Sequence, residues 1–371
     1  MVIAKKRLIE ELAEANDAKL VVALQTIDIM EERNLNLGRA LDDRKRQAEK
    51  QQTRLREMET KLDLLTAIDL SVVSGKSDWL KRVPTKTKDH VGIANLLLSD
   101  LHLDEVVAPA QMNFVNAYDR SIALMRMKAT MEKVAEIAFD YITGIRYEGI
   151  TTWFAGDNFS GNIHEELKET NEAPIMASFD YWVDPIVSSL RFLADAFGKV
   201  HVPAVVGNHG RNSRKSVMKN RVEDNFDWLL MRVVHRELAS DERFSWDLPL
   251  TTDITVHHYD HTYLMTHGDQ FRGGAGISGI QTPLALGAFK KSKRQVAVGD
   301  PFNTMIHGHF HQYMTLPGII GNGSLKGYDE YAAISNFGFE VPQQAFWIST
   351  PERGPAFHVP VQPMNRKREG W

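Results

Sequence analysis

The sequence predicts an α/β protein, a layered α/β/β/α sandwich with a helical, coiled-coil-like N-terminal extension. Two observations predict this class. From residue 91 onward, short apolar runs that end in polar residues alternate with longer stretches of helical periodicity. After residue 312 the chain breaks into short β-like runs separated by glycine and proline, which is typical of a strand-rich end to a sheet.

The composition is that of an ordinary globular protein, with 371 residues of which 43% are apolar and 25% charged. A net charge of −4 disfavours nucleic-acid binding over the whole surface, although local basic patches remain compatible with it. No apolar run approaches the roughly 18 residues of a spanning helix, so we expect no membrane partner. The lack of cysteine excludes disulfides, thiolate metal sites and cysteine nucleophiles, and it is compatible with the cytoplasmic location that we expect.

The first 65 residues differ from the rest of the chain. They contain one glycine, Gly38, and no proline, and apolar residues recur at helical spacing among many charges. This pattern is typical of long exposed helices or a coiled coil. It fits either an appendage packed on the protein's own body or an arm that forms a homodimer or docks a partner. Residues 66–90, with Gly75 and Pro84, are predicted as a linker, and residues 91–371 as the main domain.

The elements of the main domain follow from the apolar runs. Strands are predicted at residues 93–100, 150–157, 200–208 and 304–309, and a hairpin at 254–269. Helices are predicted at 112–142, between the second and third strands up to about residue 197, and at 217–238.

Polar residues follow five of the strand-like runs, and in open α/β sheets ligands gather at these carboxyl ends. The spacing in Asp100-Leu101-His102 places both polar side chains on one face of an extended strand, and His309 and His311 have the same spacing. We therefore expect one group of side chains at one place. Its candidate metal ligands are Asp100, His102, Asp157, Asn208, His267, His309 and His311.

These residue types indicate metal chemistry, because carboxylate, amide and imidazole ligands suit Mn²⁺, Fe or Zn²⁺. One ion takes about four protein ligands, so a set of at least seven argues for two ions that share a carboxylate. Two ions about 4 Å apart hold a phosphate, activate a water and stabilise the charge of in-line attack. Polar residues satisfied within a core would explain one such motif, but not five in order.

The order of motifs D-x-H, GD, GNH, H and GHxH over residues 93–350 resembles the calcineurin-like metallophosphoesterase family, which includes the Mre11/SbcD nucleases and metal-dependent Ser/Thr phosphatases. The resemblance implies two divalent ions, with Mn²⁺ expected first and Fe or Zn²⁺ fitting the same ligands. It implies one ion on Asp100, His102 and His311, and a second on Asn208, His267 and His309. Asp157 would bridge both ions.

The resemblance also makes His209 a catalytic residue, which lies near the phosphate and protonates the leaving group or steadies the transition state. Many family members continue GNH with an acidic residue that orients this histidine, whereas here Gly210 follows. Asp104 and Asp269 lie near the motifs and are candidates to replace that acid. Without such a partner, His209 acts only by polarising the phosphate.

Three basic residues, Arg211, Arg214 and Lys215, follow the GNH motif directly. They form either a solvated loop that enters a helix or a substrate-binding rim for the non-reacting phosphates of a polyanion. The second basic run, residues 290–294, has the same two interpretations.

Three functions remain open. The first is a nuclease that hydrolyses phosphodiester bonds, with DNA expected as substrate. The GNHGRNSRK context resembles phage and bacterial repair-exonuclease-like members, which implies a bacterial or phage-infected cytoplasm. The second is a phosphomonoesterase, protein phosphatase or cyclic-nucleotide phosphodiesterase, although the longer GD-x-x-D-R-G signature of protein phosphatases is missing. The third is a non-catalytic scaffold.

Overall fold

The computed structural model describes residues 6–7, 10–11, 18–66, 73–74, 90–271 and 279–371. Contacts divide the chain into two units, Met1–Leu70 and Ser71–Trp371. Most of the predicted linker, residues 67–72 and 75–89, lies outside the described residues.

The first unit contains one long helix, α1 (Ala18–Thr66), which runs for 49 residues because proline is absent and the single Gly38 does not interrupt it. Large apolar side chains along this helix are between 45% and 66% exposed: Val22, Ile27, Ile29, Met30, Leu35, Leu37, Leu41 and Leu55.

The second unit contains two sheets. The strands of the first are β1 (Val73–Ser74), β2 (His90–Leu98), β3 (Ile145–Phe154), β4 (Val200–Pro203), β5 (Phe244–Leu248), β11 (Gln344–Thr350) and β12 (Gly354–Val361). Their order is β1-β5-β4-β3-β2-β11-β12, in which β2 to β5 are parallel and β1, β11 and β12 pair antiparallel at the two sides.

The second sheet has five strands, β6 (Asp253–His258), β7 (His261–Thr266), β8 (Thr304–His307), β9 (Met314–Leu316) and β10 (Ile319–Gly321). Their order is β6-β7-β8-β10-β9. The central strands β7, β8 and β10 are parallel, and β6 and β9 pair antiparallel at the edges. The predicted hairpin at 254–269 corresponds to β6 and β7.

Helices cover the outer faces of the sheets. They are α2 (Arg120–Glu136), α3 (Glu165–Thr170), α4 (Ile175–Phe197), α5 (Phe226–Leu238), α6 (Gln281–Ala297), α7 (Glu330–Ile334) and α8 (Arg366–Glu369). Helix α4 packs on β3 and β4, and α5 packs on β5. Leu284 of α6 joins Leu264 and Met305 in a separate apolar cluster on the five-stranded sheet. The predicted α/β/β/α sandwich is therefore confirmed. None of the described helices is both long and apolar enough to cross a membrane.

The core between the sheets holds them face to face. Trp153 of β3 and Trp347 of β11 stack with ring centroids 6.2 Å apart, and Tyr263 of β7 lies against both. The indole nitrogen of Trp347 donates to the Tyr263 hydroxyl at 3.1 Å, so the polar edge of this aromatic cluster is satisfied inside the core. The carboxyl ends of the parallel strands thereby meet at one edge of the sandwich.

Two predicted helices are too long. The prediction at 112–142 is wrong before Arg120, because Asn113 and Phe114 adopt left-handed conformations and Asp119 caps α2 by accepting from the Ile122 amide at 2.7 Å. The prediction at 217–238 is wrong before Phe226, where Asn225 caps α5. In both cases a capping side chain outweighs apolar periodicity.

Candidate metal centre

The predicted ligands converge because their strands are neighbours. Strands β2, β3 and β4 are adjacent and parallel in one sheet, and β7 and β8 are adjacent and parallel in the other. Nitrogen and oxygen atoms within 4.8 Å of one another define three overlapping groups: Asp100, His102 and His311; His102, Asp157 and His209; and Asp157, His267 and His309.

The first group joins β2 to the segment after β8. His102 Nε2 lies 3.0 Å from His311 Nε2, and His311 Nε2 lies 3.4 Å from Asp100 Oδ1. Asp100 and His102 are buried, whereas His311 is half-buried. This group contains the three residues that the resemblance assigns to one ion.

The second group lies between the other strand ends. His267 Nε2 lies 3.0 Å from Asp157 Oδ2 and 3.1 Å from Asn208 Oδ1, and the ring of His309 lies 5.1 Å from that of His267. Asp157 also belongs to the group with His102, so it occupies the position between the two ligand sets. The structure thus brings together all seven predicted ligands.

The donor atoms in this group require a positive charge between them. His267 Nδ1 lies 2.7 Å from the carbonyl oxygen of Ala155, which can only accept, so Nδ1 carries the proton. In the neutral ring the Nε2 lone pair then faces two acceptors, the Asp157 carboxylate and the Asn208 amide oxygen. Only a cation or a second proton makes this contact favourable, and the mixed N and O set fits a divalent ion such as Mn²⁺, Fe or Zn²⁺.

The pKa values of these side chains indicate the same need for a positive charge. Burial lowers the pKa of His267, but the charge and hydrogen bond of Asp157 outweigh it and raise this pKa to about 10. Burial raises the pKa of Asp100, but the hydrogen bond and charge of His311 bring it down to about 2. For His309, burial and then the charge of His267 lower the pKa to about 4. The site therefore keeps its carboxylates ionised and holds a proton on His267.

The backbone at the site is unusual. Five of the seven ligand candidates have a positive φ: Asp100, His102, Asp157, His309 and His311, with values from 46° to 72°. Such residues cost of order 1–3 kcal/mol each and concentrate at functional sites. A Cβ on Gly156 would lie 2.2 Å from the Gly207 amide nitrogen, so only glycine allows the Asp157 and Asn208 loops to approach this closely.

His209 lies at the edge of the centre, and its ring is 4.6 Å from that of His102. Its Nδ1 donates to the carbonyl oxygen of Ser160 at 2.8 Å. Neither acid suggested by the sequence makes this contact, because Asp104 pairs with Arg120 and Asp269 with Arg221. The partner of His209 is thus a backbone carbonyl, which no sequence motif indicates.

Asp227 was not singled out by the sequence, yet it holds two ligand loops. This buried carboxylate at the start of α5 accepts from the amides of Asp157 and Gly207 through Oδ2, at 3.0 and 2.9 Å. Its Oδ1 accepts from the amide and side-chain nitrogens of Asn158, both at 3.0 Å. Burial, together with the charge of Asp157, raises the pKa of Asp227.

The three predicted substrate-binding cations occupy different environments. The Arg211 guanidinium donates to the carbonyl oxygens of Asn208, Ser213 and Arg214, so it holds its own loop. Arg214 is exposed and lies 3.7 Å from Glu165, and Lys215 is exposed.

The second basic run is partly structural. Lys291 is buried and donates to both carboxylate oxygens of Asp253 at 2.7 and 2.8 Å, and Arg294 pairs with the same carboxylate. Two of the four cations of this run therefore share one carboxylate within the protein.

Comparison with known proteins yields only remote structural similarity. No protein-family profile and no curated protein sequence matches the chain. Vacuolar Protein Sorting 29 from Cryptosporidium parvum is 11% identical with a TM-score of 0.29, over 70% of this chain and 86% of that chain. A conserved protein from Streptococcus pneumoniae described as a predicted phosphoesterase is 9% identical with a TM-score of 0.27, over 72% and 98%. A point mutant of Vps29 from Entamoeba histolytica is 14% identical with a TM-score of 0.28, over 72% and 99%. Scores this low assign neither a family nor an activity.

Proposed function

We propose that this protein is a two-metal-dependent phosphoesterase of the calcineurin-like type. The observation that supports this proposal is the convergence of seven nitrogen- and oxygen-bearing side chains from two sheets, in which Asp157 lies in one group with His267 and His309 and in another with His102. In this proposal Asp100, His102 and His311 hold one ion, and Asn208, His267 and His309 hold the other. Two bound ions would supply a lowered pKa for a water and a clamp for phosphate oxygens.

Other groups of the protein orient the proposed ligands and the histidine beside them. The Ala155 carbonyl fixes the His267 ring, and the His309 amide donates to both oxygens of Asp100 at 3.0 and 2.9 Å, which orients that carboxylate. His209 Nδ1 is engaged by Ser160, so its Nε2 is the atom available to the phosphate or the leaving group. His209 therefore protonates the leaving oxygen or steadies the transition state.

We further propose that the phosphodiester bonds of nucleic acid, with DNA first, are the substrate, as in the Mre11/SbcD-like and repair-exonuclease-like branch. Exposed Arg214, Lys215 and Lys219 support this, because their loop begins at His209 and offers cations to neighbouring phosphates. The exposed apolar residues of α1 support a homodimer that places two such centres on one duplex.

A second candidate substrate is a small phosphoester, and a specific cleft favours it. Arg221, which pairs with Asp269 near His267, lines a cleft of about 680 Å³. Its wall carries two cations, Arg221 and Arg294, against three anions, Glu223, Asp253 and Asp300. The one excess negative charge disfavours a polyanion, and the volume leaves room for a small ester.

A substrate panel separates these proposals. The purified full chain is incubated with labelled single- and double-stranded DNA, RNA, an aryl monoester and an aryl diester, each with Mn²⁺, Zn²⁺ or Mg²⁺ and with a chelator. We expect metal-dependent cleavage of DNA, lost in Asn208→Ala and retained in His257→Ala, which changes an exposed histidine outside the centre. Survival of all nucleic acids with hydrolysis of the aryl esters would replace the nuclease proposal by the second candidate. No hydrolysis under any condition would refute both and favour a scaffold.

A further inference from the structure

The GNH motif lacks the acidic residue expected after His209, and the structure shows that none fits there. A Cβ built on Gly210 would lie 2.3 Å from Asn225 Oδ1 and 2.8 Å from the carboxyl carbon of Asp227. The space beside His209 is therefore occupied by the side chains that hold the ligand loops. Any carboxylate that orients His209 has to act from another direction.

Glu105 is a carboxylate in such a direction, three residues after His102. It is buried, with 7% of its surface exposed. Its Oε2 lies 3.2 Å from His102 Nδ1, the ring nitrogen opposite to the one that faces His311. The same oxygen accepts from the Ser160 hydroxyl at 3.3 Å. One oxygen atom thus contacts a predicted metal ligand and the residue whose carbonyl holds His209.

The charge of Glu105 is held in place by a buried lysine. Lys326 donates to Glu105 Oε1 at 2.7 Å and also pairs with Asp329. The side chains of all three residues are almost fully buried from solvent. Asp329 in turn caps α7 by accepting from the Ala332 amide at 2.8 Å. Lys326 therefore fixes Oε1, and this leaves Oε2 directed at His102 and Ser160.

We propose that Glu105 is the positioning residue of this centre, replacing the acid missing at position 210. It favours the tautomer of His102 that carries its proton on Nδ1, so that the Nε2 lone pair points at the metal position. Through the Ser160 hydroxyl it also fixes the carbonyl that holds His209 Nδ1. This inference rests on the proposed metal-dependent function, but its tautomer component concerns the protein alone.

A comparison of Glu105→Gln with Ser160→Ala tests both parts of the proposal, the tautomer of His102 and the placement of His209. In Glu105→Gln we expect the affinity for one of the two Mn²⁺ ions, measured by calorimetric titration, to fall about 10- to 100-fold while the other is retained. Hydrolysis of aryl diesters with poor leaving groups should fall about tenfold further than hydrolysis of those with good leaving groups, because proton donation by His209 is impaired. Ser160→Ala, which leaves the ion pairs intact, should reproduce only the leaving-group effect.

The ¹⁵N shifts of His102 provide a readout independent of activity. The wild-type, metal-free protein should show Nδ1 protonated, and Glu105→Gln should show a mixture of tautomers. Glu369→Gln, which alters a buried carboxylate paired with Arg126, is the matched control and should keep the wild-type metal affinity and tautomer.

The outcomes are distinct. Wild-type affinity at both ions, an unchanged His102 tautomer and an unchanged leaving-group dependence in Glu105→Gln would overturn this inference and leave the phosphoesterase proposal standing. A wild-type protein that binds no divalent ion would overturn the proposed function, while the ¹⁵N shifts would still test the tautomer. If Glu105→Gln does not fold, an unchanged leaving-group dependence in Ser160→Ala overturns the claim that Glu105 places His209 through Ser160.

Discussion

Replacement of Asp227 by asparagine should destabilise the protein and loosen its metal centre together. Each carboxylate oxygen of Asp227 accepts two N–H groups, from Asp157 and Gly207 at one oxygen and from Asn158 at the other. An asparagine presents an NH₂ group at one of these positions, so two donors lose their acceptor whichever way the amide is turned.

The size of the effect follows from these contacts. Hydrogen bonds to charged groups contribute about 1.5–3 kcal/mol each, so the loss of two amounts to about 3–6 kcal/mol. The relief of a buried negative charge close to Asp157 offsets part of this, consistent with the raised pKa of Asp227. We expect a net loss of about 3 kcal/mol in the free energy of unfolding.

Urea denaturation of the metal-free protein, followed by circular dichroism, measures this change, and a parallel Mn²⁺ titration measures the affinity. The affinity should fall because Asp157 and Asn208 lie on the two loops that Asp227 joins. Asp224→Asn is the control, since Asp224 is exposed and its carboxylate accepts from the Asn212 side chain at 3.1 Å on the surface, so we expect a change within about 0.5 kcal/mol. An Asp227→Asn protein as stable as the control, with wild-type affinity, would refute the role assigned to this carboxylate.

Three further predictions concern the affinity for metal ions, the basic loop after His209 and the N-terminal helix. A metal ion must displace the proton that His267 carries below its pKa of about 10, so Mn²⁺ affinity should rise about tenfold per pH unit between pH 7 and 9; affinity independent of pH in calorimetric titrations would contradict this. Lys215→Met should lower the slope of log binding constant against log salt concentration for DNA by about one unit. Arg211→Met should chiefly raise the protease sensitivity of the loop whose carbonyls Arg211 binds. Equal salt slopes in wild type and Lys215→Met would exclude Lys215 from the phosphate contacts. Deletion of residues 1–65 should convert a dimer into a monomer by light scattering, and a truncated protein that still has the mass of two chains would refute the dimerising arm.

Most strands and the ligand positions could be predicted from the sequence because both depend on local patterns, although β5 was missed and β4 ends at Pro203, before the predicted residue 208. Apolar runs mark β2, β3 and β8, and the polar residue types at their ends carry the chemistry directly. Helix starts were predicted less well, because the caps Asp119 and Asn225 are single polar side chains inside otherwise helical periodicity.

The residues that support the ligands could not be found in this way. Asp227 contacts an amide 70 residues away, and Glu105 contacts Ser160 at a separation of 55 residues and Lys326 at 221. An acidic residue near a motif is as common on a solvated loop as beside a ligand, so only the fold distinguishes Glu105 from Asp104, which pairs with Arg120 instead.

The ligands come from both halves of the sandwich. Asp100, His102, Asp157 and Asn208 follow strands of the seven-stranded sheet, and the three remaining histidines follow strands of the five-stranded sheet. Cations bound at this edge would crosslink the two layers at a point that these polar side chains occupy. Sliding of one layer over the other would then be opposed by coordination bonds at the edge as well as by the tryptophans at the centre, so the proposed ions would also stabilise the packing of the two sheets.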